Sequence, residues 1–315
     1  MAHTSSSALV SVVIPAFRAR ETLPRTLASV AAQTYPHLEV IVVEDGSDDG
    51  TRALIEAYSH HPARYKHSGE NNGAAAARNV AVAEATGDFI AFLDADDEWL
   101  PTKIERQMAL IEEDRAVRLV ACAAARIEPD GTRSRRINAH ASPAEGRDAW
   151  KHLLRENFFC TPTVLCRRQD VLDLGGFDRS LEIAEDQDLW IRIAQLGPLR
   201  YIDEELVRVH ILESGLSVKN RGREHEITLG MIKRHLGAAG EALTGEERRS
   251  IWARRQRLTG EQVYASGDIG TGAALLWQAA QHPEQRSAAV KSLIWLFPPL
   301  ASARAQMRRL IGRPG

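Results

Sequence analysis

The run Ala91-Phe92-Leu93-Asp94-Ala95-Asp96-Asp97-Glu98-Trp99-Leu100-Pro101 passes from an apolar stretch straight into four acids, then to a tryptophan and a proline. Like charges on one turn repel one another. Either Asp94, Asp96, Asp97 and Glu98 form a solvated loop, or something positive sits among them. The apolar half of the run, Phe89 to Leu93, predicts a buried strand that ends where the acids begin.

Working outward from this strand, the same layout recurs. Leu9 to Ile14 (LVSVVI) is a β-branched run closed by Pro15, and Leu38 to Val43 (LEVIVV) breaks at Glu44-Asp45-Gly46-Ser47. A short strand near Arg64 to His67 leads into Gly69-Glu70-Asn71-Asn72-Gly73. Between the strands, Leu23, Leu27, Val30 and Ala31 fall at helical spacing, with Pro24 tolerable in the first turn. A second helix carries Leu54, Ile55 and Tyr58; a third, Ala-rich, runs from Ala74 to Ala85 and stops near Gly87. Pro101 suits the start of a fourth. Strands that are continuously apolar and alternate with helices predict an α/β fold: a Rossmann-like, mostly parallel sheet with helices on both faces. Such sheets bind ligands at the carboxyl ends of their strands. Pro15-Ala16-Phe17, Glu44-Asp45, Asn72-Gly73 and Asp94-Ala95-Asp96 all fall at those ends, which predicts a cleft there.

Downstream the pattern changes. Val117 to Ile127 reads as a strand, Asp130-Gly131 as a turn, Asp148 to Arg155 as a helix and Thr161 to Cys166 as a strand. After the tight turn Gly175-Gly176-Phe177-Asp178 comes a short helix from Glu185 to Ile193, with acids at its favourable end. Two short strands are expected up to His210, then a flexible loop at Glu213-Ser214-Gly215. Beyond Gly222 the chain reads as helix to the end. Trp252, Val263, Tyr264, Leu275, Leu276 and Trp277 supply apolar faces, with a helix break at Ala265-Ser266-Gly267-Asp268.

The 315 residues suffice for one large domain and an appendage; 44% are hydrophobic and 26% charged. A net charge of -2 gives no global pull on nucleic acid, and no nucleic-acid partner is expected. Cys122, Cys160 and Cys166 are few, odd in number and without metal-ligand spacing, which suits a reducing compartment. The start, MAHTSSSALVSVVIPAF, lacks a basic n-region and runs directly into a strand pattern, and no apolar run approaches a bilayer span. The expected location is cytoplasmic.

An Asp-x-Asp turn at a strand end suits a hard divalent cation, Mn²⁺ or Mg²⁺, sharing its coordination with a phosphate, although the bare pattern also occurs in solvated loops. No G-x-G-x-x-G follows the first strand and no G-x-x-x-x-G-K-[ST] occurs, so a nucleotide would need a metal and side chains to neutralise its phosphates. Arg78 could serve, or could be an ordinary surface helix arginine. Glu185-Asp186 could supply a general base, or could simply favour the helix dipole.

Together these stretches resemble inverting family-2 glycosyltransferases of the GT-A fold. The resemblance is carried by VSVVIPAFRARETLPRTLASVAAQTY, LEVIVVEDGSDDGT, NNGAAAARNVAVAEATGDFIAFLDADDEWLP, GGFDRSLEIAEDQDLWIRIA and VRVHILESGLS, in that order across about residues 9 to 218. It implies that Pro15, Ala16 and Phe17 line the base of a nucleotide sugar, that Glu44 and Asp45 contact base or ribose, and that Arg78 helps hold the nucleotide. It further implies that Asp94, with Ala95 beside it, approaches the ribose or sugar, that Asp96 holds a metal (Mn²⁺ or Mg²⁺) on the diphosphate, and that Asp186 is the catalytic base. His210 matches a histidine that completes the metal site in some members; it could equally be an ordinary strand-end histidine. The implied division is a nucleotide-sugar-binding half (1–115), an acceptor-binding half (116–220) and a C-terminal helical region (221–315).

There are departures. Glu44 stands where the family often has Asp, and the Gln-x-x-Arg-Trp element of processive synthases is missing after Asp186, which favours adding one or few sugars. A nucleoside-diphosphate sugar, UDP first among them, is the expected donor, and a glycan or lipid-linked molecule the expected acceptor. The tail places Leu293-Ile294-Trp295-Leu296-Phe297 and Pro298-Pro299 before Arg304, Arg308, Arg309 and Arg313, with no acid after Glu284. Residues 290–315 could touch an anionic membrane surface at its inner face, or pack on the core with arginines in water. Two alternatives remain: a nucleotidyltransferase, weakened because Ala16-Phe17-Arg18-Ala19-Arg20 lacks glycine, and a non-catalytic sugar-nucleotide or glycan-binding protein on the same scaffold.

Overall fold

The computed structural model describes residues 8–139, 141–212 and 224–296, the side chains of the third segment through residue 294. The chain divides into two compact units: residues 1–153 with 157–219, and residues 154–156 with 220–315.

In the first unit the order is β1 (Val10–Ala16), α1 (Leu23–Ala31), β2 (Leu38–Glu44), α2 (Thr51–Ala57), β3 (Ala63–His67), α3 (Ala74–Glu84), β4 (Phe89–Phe92), β5 (Glu98–Trp99), α4 (Lys103–Glu113), β6 (Leu119–Ile127) and β7 (Arg133–Arg136). Then follow α5 (Ala149–Arg155), a 3₁₀ turn (Thr161–Thr163), β8 (Leu165–Arg167), α6 (Arg168–Asp173), α7 (Glu185–Leu196) and β9 (Leu199–His210). The strands form a nine-stranded sheet in the order β3-β2-β1-β4-β8-β6-β9-β5, with β7 beside β6.

The first half of the sheet is wholly parallel. Val12 pairs with Val40 on one side and with Ala91 on the other, and Val42 pairs with Tyr65. Every residue of β2 is buried, as expected of a strand covered on both faces. Val12, Ile14, Val40, Val42, Ala91 and Leu93 share a core with Leu23, Leu27 and Val30 of α1 and Ile104 and Met108 of α4. On the opposite side Phe92, Phe177 and Trp190 pack as an aromatic cluster, with ring centroids 5.2 to 5.7 Å apart.

The second half mixes directions: β8 is antiparallel to β4 and β6, β9 is parallel to β6, and β5 is antiparallel to β9. Three local expectations change here. The expected strand Thr161 to Cys166 is a 3₁₀ turn followed by β8, because Pro162 has no N–H to give a ladder. The two short strands before His210 are one strand, β9; Ile202 and Glu205 pair with the consecutive Cys122 and Ala123, so Asp203 and Glu204 bulge out into solvent. Pro101 lies in the turn before α4 rather than inside it. The sequence also did not announce β5, in which Glu98 and Trp99 leave the acidic turn to pair with Arg208 and Val207.

The second unit holds α8 (Glu224–Ala238), a short 3₁₀ turn (Gly240–Ala242), α9 (Gly245–Ala265), α10 (Ile269–Ala280) and α11 (Pro283–Leu296). Thr244 and Glu247 close a capping box at the start of α9, and the Asp268 carboxylate accepts from Thr271 N at the start of α10. The break expected at Ala265 to Asp268 lies between these two helices. They approach closely at Gly272, where an added Cβ would meet Tyr264 N at 2.5 Å. Among the described residues no helix is long and apolar enough to cross a membrane. The expected loop at Glu213-Ser214-Gly215 and the tail beyond residue 296 lie outside the described residues.

Candidate active site

The acidic turn is built at the carboxyl end of β4. Leu93 N donates to Val13 O at 3.0 Å, and Asp97 N closes the turn onto Asp94 O at 3.1 Å. Thr26 of α1 presents Oγ1 to the carbonyls of Ala95 (3.0 Å) and Asp97 (2.9 Å), so the backbone is held from below while the side chains fan out. Arg25 donates to Asp96 O at 2.7 Å and pairs with Glu98 at 3.0 Å. Asp97 is buried and accepts from the backbone N of His210 at 3.0 Å.

The second acidic group enters from the other half of the sheet. Gly175 and Gly176 take φ of 77° and 75°, and Ala184 takes φ of 61°, a strained value for a residue with a Cβ. A Cβ on Gly176 would meet Asn79 Oδ1 at 2.3 Å, and Asn79 instead exchanges hydrogen bonds with the Phe177 backbone in both directions. α7 then starts with Glu185 and Asp186. Asp186 Oδ2 accepts from Thr161 Oγ1 at 2.8 Å and Oδ1 from Gln187 N at 2.6 Å.

Arg78 of α3 joins the two groups. It is 6% exposed, donates to Asp94 Oδ1 at 2.7 Å and to Glu185 Oε1 at 3.1 Å, and sits 5.6 Å from the Phe177 ring centroid. The surface-arginine reading is therefore wrong. Burial works against its charge, but Asp94 and Glu185, with Asp186 further off, hold its pKa above the usual arginine value. Two acids lying sixteen residues downstream and in a distant helix are thus tied to one guanidinium, and they face a shared region.

The acids around this cation have too little positive charge. Burial, and then the charge of Asp94, push Asp96 up to about 6. Burial and the negative neighbours Asp94 and Asp96 hold Asp97 well above the ordinary range. Burial and Asp186 push Glu185 up to about 7, with Arg78 opposing. Such raised carboxyls concentrate where a ligand supplies the missing charge.

At the ends of β1 and β2 the picture differs. Ala16 is buried, Phe17 is 45% exposed with the Arg18 guanidinium 5.1 Å from its ring centroid, and Arg18 takes a left-handed φ of 52° with its N–H on Ser47 Oγ. Pro15, just before Ala16, pairs with Val43. Glu44 is 1% exposed; one carboxylate oxygen accepts from Ser47 Oγ at 2.7 Å and the other from the Tyr65 hydroxyl. Its carboxylate is thus turned inward onto Ser47 and Tyr65. Asp45 accepts from the backbone N–H groups of Asn72 (2.9 Å) and Gly73 (2.7 Å) and from Ser68 Oγ (3.1 Å), which fixes the loop that leads into α3.

Among the described residues no group of three or more His, Cys, Asp and Glu side chains forms a metal cage. Asp96, partly buried beside Asp94 and raised by both, is a carboxylate of the kind a hard divalent cation would take. His210 Nε2 lies 3.0 Å from Glu98 Oε1, a contact that would orient the ring while Nδ1 took a metal, and burial followed by the Arg25 charge lowers its pKa toward the neutral form that a metal needs. Sequence reasoning did not anticipate Arg25, Tyr65 or Thr161. Thr161 was assigned to a strand, and no spacing rule ties it to a carboxylate twenty-five residues on.

Fold and site together define a GT-A-type enzyme, and the sequence comparison gives its family. The profile of Glycosyl transferase family 2 matches residues 11–175, and the chain belongs to that family. Relatives include the putative glycosyltransferase EpsE of Bacillus subtilis, 31% identical over 65% of this chain and 74% of that protein. The Escherichia coli UDP-Glc:alpha-D-GlcNAc-diphosphoundecaprenol beta-1,3-glucosyltransferase WfgD is 39% identical over 33% of this chain and 41% of that protein, so the match spans less than half of WfgD. Among solved structures, S. aureus TarS 1-349 in complex with UDP-GlcNAc aligns with a TM-score of 0.66 at 18% identity, covering 95% of this chain and 92% of that one. The mannosyltransferase PcManGT of Pyrobaculum calidifontis, in complex with GDP-Man and Mn²⁺, aligns at 0.61 with 20% identity, covering 98% and 86%. At these identities the structural likeness establishes the fold.

Proposed function

We propose that the chain is a metal-dependent, inverting, non-processive glycosyltransferase. It moves a sugar from a nucleoside-diphosphate donor, in the first instance a UDP-sugar, to a hydroxyl of a glycan or lipid-linked acceptor in cell-surface polysaccharide or glycoconjugate synthesis. The observation that carries this reading is the Arg78 bridge, which ties Asp94 of the donor half and Glu185 of the acceptor half to one guanidinium.

In this reading Phe17 offers an exposed ring to the nucleobase, and the loop fixed by Asp45 shapes the ribose side. Asp94 approaches the sugar, and Asp96 would hold Mn²⁺ or Mg²⁺ with His210 as a second ligand, its Nε2 kept on Glu98. When bound, the cation stabilises charge developing on the departing diphosphate. Asp186 accepts the proton of the acceptor hydroxyl as that oxygen attacks the anomeric carbon, and a single displacement inverts the centre. Residues 1–115 hold the donor and 116–220 the acceptor, and the described residues 224–296 form the helical region. The reading places the protein in the cytoplasm at the inner membrane face. The lipid-diphosphate acceptor in the name of WfgD supports that setting.

A panel of UDP-, GDP- and dTDP-sugars tests the proposal. One donor should raise the melting temperature only with Mn²⁺ or Mg²⁺ present, and nucleoside diphosphate should then be released. Stabilisation without metal dependence or release would instead indicate a binding protein. No stabilisation by any donor would overturn the reading.

A further inference from the structure

Thr161 takes no part in the assignments above, yet its hydroxyl donates to Asp186 Oδ2 at 2.8 Å. Among the described residues, the one other hydrogen bond to this carboxylate comes from the adjacent backbone, Gln187 N. An amide one residue away moves with Asp186 and fixes its direction poorly. Thr161 sits on a separate element, the 3₁₀ turn between α5 and β8, and is 5% exposed.

That turn is itself anchored from the donor side. Trp99 Nε1 of β5 donates to Pro162 O at 2.8 Å. Gln107 Nε2 of α4 donates to Thr163 O at 2.7 Å and to Val120 O at 3.2 Å. The Gln107 amide is oriented by Lys103, whose Nζ donates to Gln107 Oε1 at 2.8 Å and stands 4.1 Å from the Trp99 ring centroid. Lys103 and Gln107 are fully buried, and burial pulls Lys103 down to about 8. Buried polar groups so fully engaged rigidify what they touch. Trp99 directly follows the acidic turn, so the backbone that carries Asp94 and Asp96 and the turn that carries Thr161 are braced against one another.

We propose that Thr161 is the positioning residue for Asp186: its hydroxyl sets the direction of the carboxylate, and the Trp99–Gln107–Lys103 brace holds that hydroxyl in register with the acidic turn. The inference rests on the transferase reading for its catalytic consequence, but its geometric part does not. A general base must lie within hydrogen-bond reach of its proton, and a displacement of about 1 Å costs on the order of 100-fold in rate.

The test compares wild type, Thr161→Val and Thr161→Ser, with UDP-glucose, UDP-N-acetylglucosamine and GDP-mannose as donors in Mn²⁺. Valine keeps the shape and removes the hydroxyl; serine keeps the hydroxyl. The expected result is a kcat for nucleoside-diphosphate release about 10- to 100-fold lower in Thr161→Val, with the donor KM unchanged within about twofold, and recovery to near wild type in Thr161→Ser. Equal kcat in wild type and Thr161→Val, or equal loss in both variants, overturns the inference. A crystal structure of Thr161→Val provides a readout that needs no turnover: the Asp186 carboxylate should leave its wild-type direction, and an unchanged carboxylate overturns the inference. If wild type turns over none of these donors, the crystal structure alone decides the role of Thr161.

Discussion

Glu39 and Asp96 belong to opposite ends of the same parallel half-sheet, and their environments are opposite too. Glu39, near the start of β2, accepts from Ser11 Oγ, from the N–H and hydroxyl of Thr86 and from Gly87 N, and pairs with Arg64. Burial alone would raise its pKa, but these donors outweigh burial and lower it. Asp96, beyond the end of β4, has burial and Asp94 both raising it, and only the charges of Arg25 and Arg78 and its own backbone against them. The comparison separates two kinds of buried acid in one sheet. Near the amino end of β2 the protein finishes its own electrostatics around Glu39; beyond the carboxyl end of β4 it leaves Asp96 short of positive charge.

The prediction of largest effect concerns turnover at the carboxyl ends. Asp186→Asn should lower nucleoside-diphosphate release by about 10²- to 10⁴-fold, the usual range for losing a general base, with a melting temperature near that of wild type. Steady-state rates and a thermal melt check it, and full activity would remove the base assignment. Next comes the cation that ties the two acidic groups together. Arg78→Met leaves Asp94 and Glu185 without their partner and should cost about 3 to 5 kcal/mol of stability, read from urea midpoints at constant slope. A loss below about 1 kcal/mol would mean that the bridge is not made in solution.

The smaller effect probes the other end of the strands. Glu39→Gln should destabilise by about 2 kcal/mol at pH 7, since several donors lose a charged acceptor. The folded pKa of Glu39 lies below its unfolded value of 4.5, so its contribution is present above pH 4.5 and is lost as pH falls through the folded value. The gap between wild type and Glu39→Gln should therefore close on acidification below 4.5, and a gap that widens there would refute the assignment.

The same contrast explains what could be seen in the sequence. The strands LVSVVI, LEVIVV and FIAFL are continuous apolar runs that end in polar clusters, so the parallel half and its ligand-facing edge were legible. The other half was harder because its strands depend on partners: β8 has three residues, β5 has two, and β9 carries a bulge that reads as a break. In the site, the types and order of Asp94, Asp96, Glu185 and Asp186 could be read, but not what each side chain faces. Glu44 and Asp45 look like a pair in sequence. In space Glu44 is turned inward onto Ser47 and Tyr65, while Asp45 grips the Asn72–Gly73 backbone. Arg78 showed no sequence sign that it would be buried between two carboxylates, because its partners come from distant parts of the chain.

The claim beneath these predictions is that Asp96 and Asp186 serve one cleft in different roles, one holding the donor and the other acting on the acceptor. Calorimetric titration of the selected nucleotide sugar, with Mn²⁺, into wild type, Asp96→Asn and Asp186→Asn tests it most directly. The account predicts that Asp96→Asn loses metal-dependent donor binding, while Asp186→Asn binds donor with near wild-type affinity and fails to turn it over. Unchanged metal-dependent binding in Asp96→Asn, or normal turnover in Asp186→Asn, would contradict it.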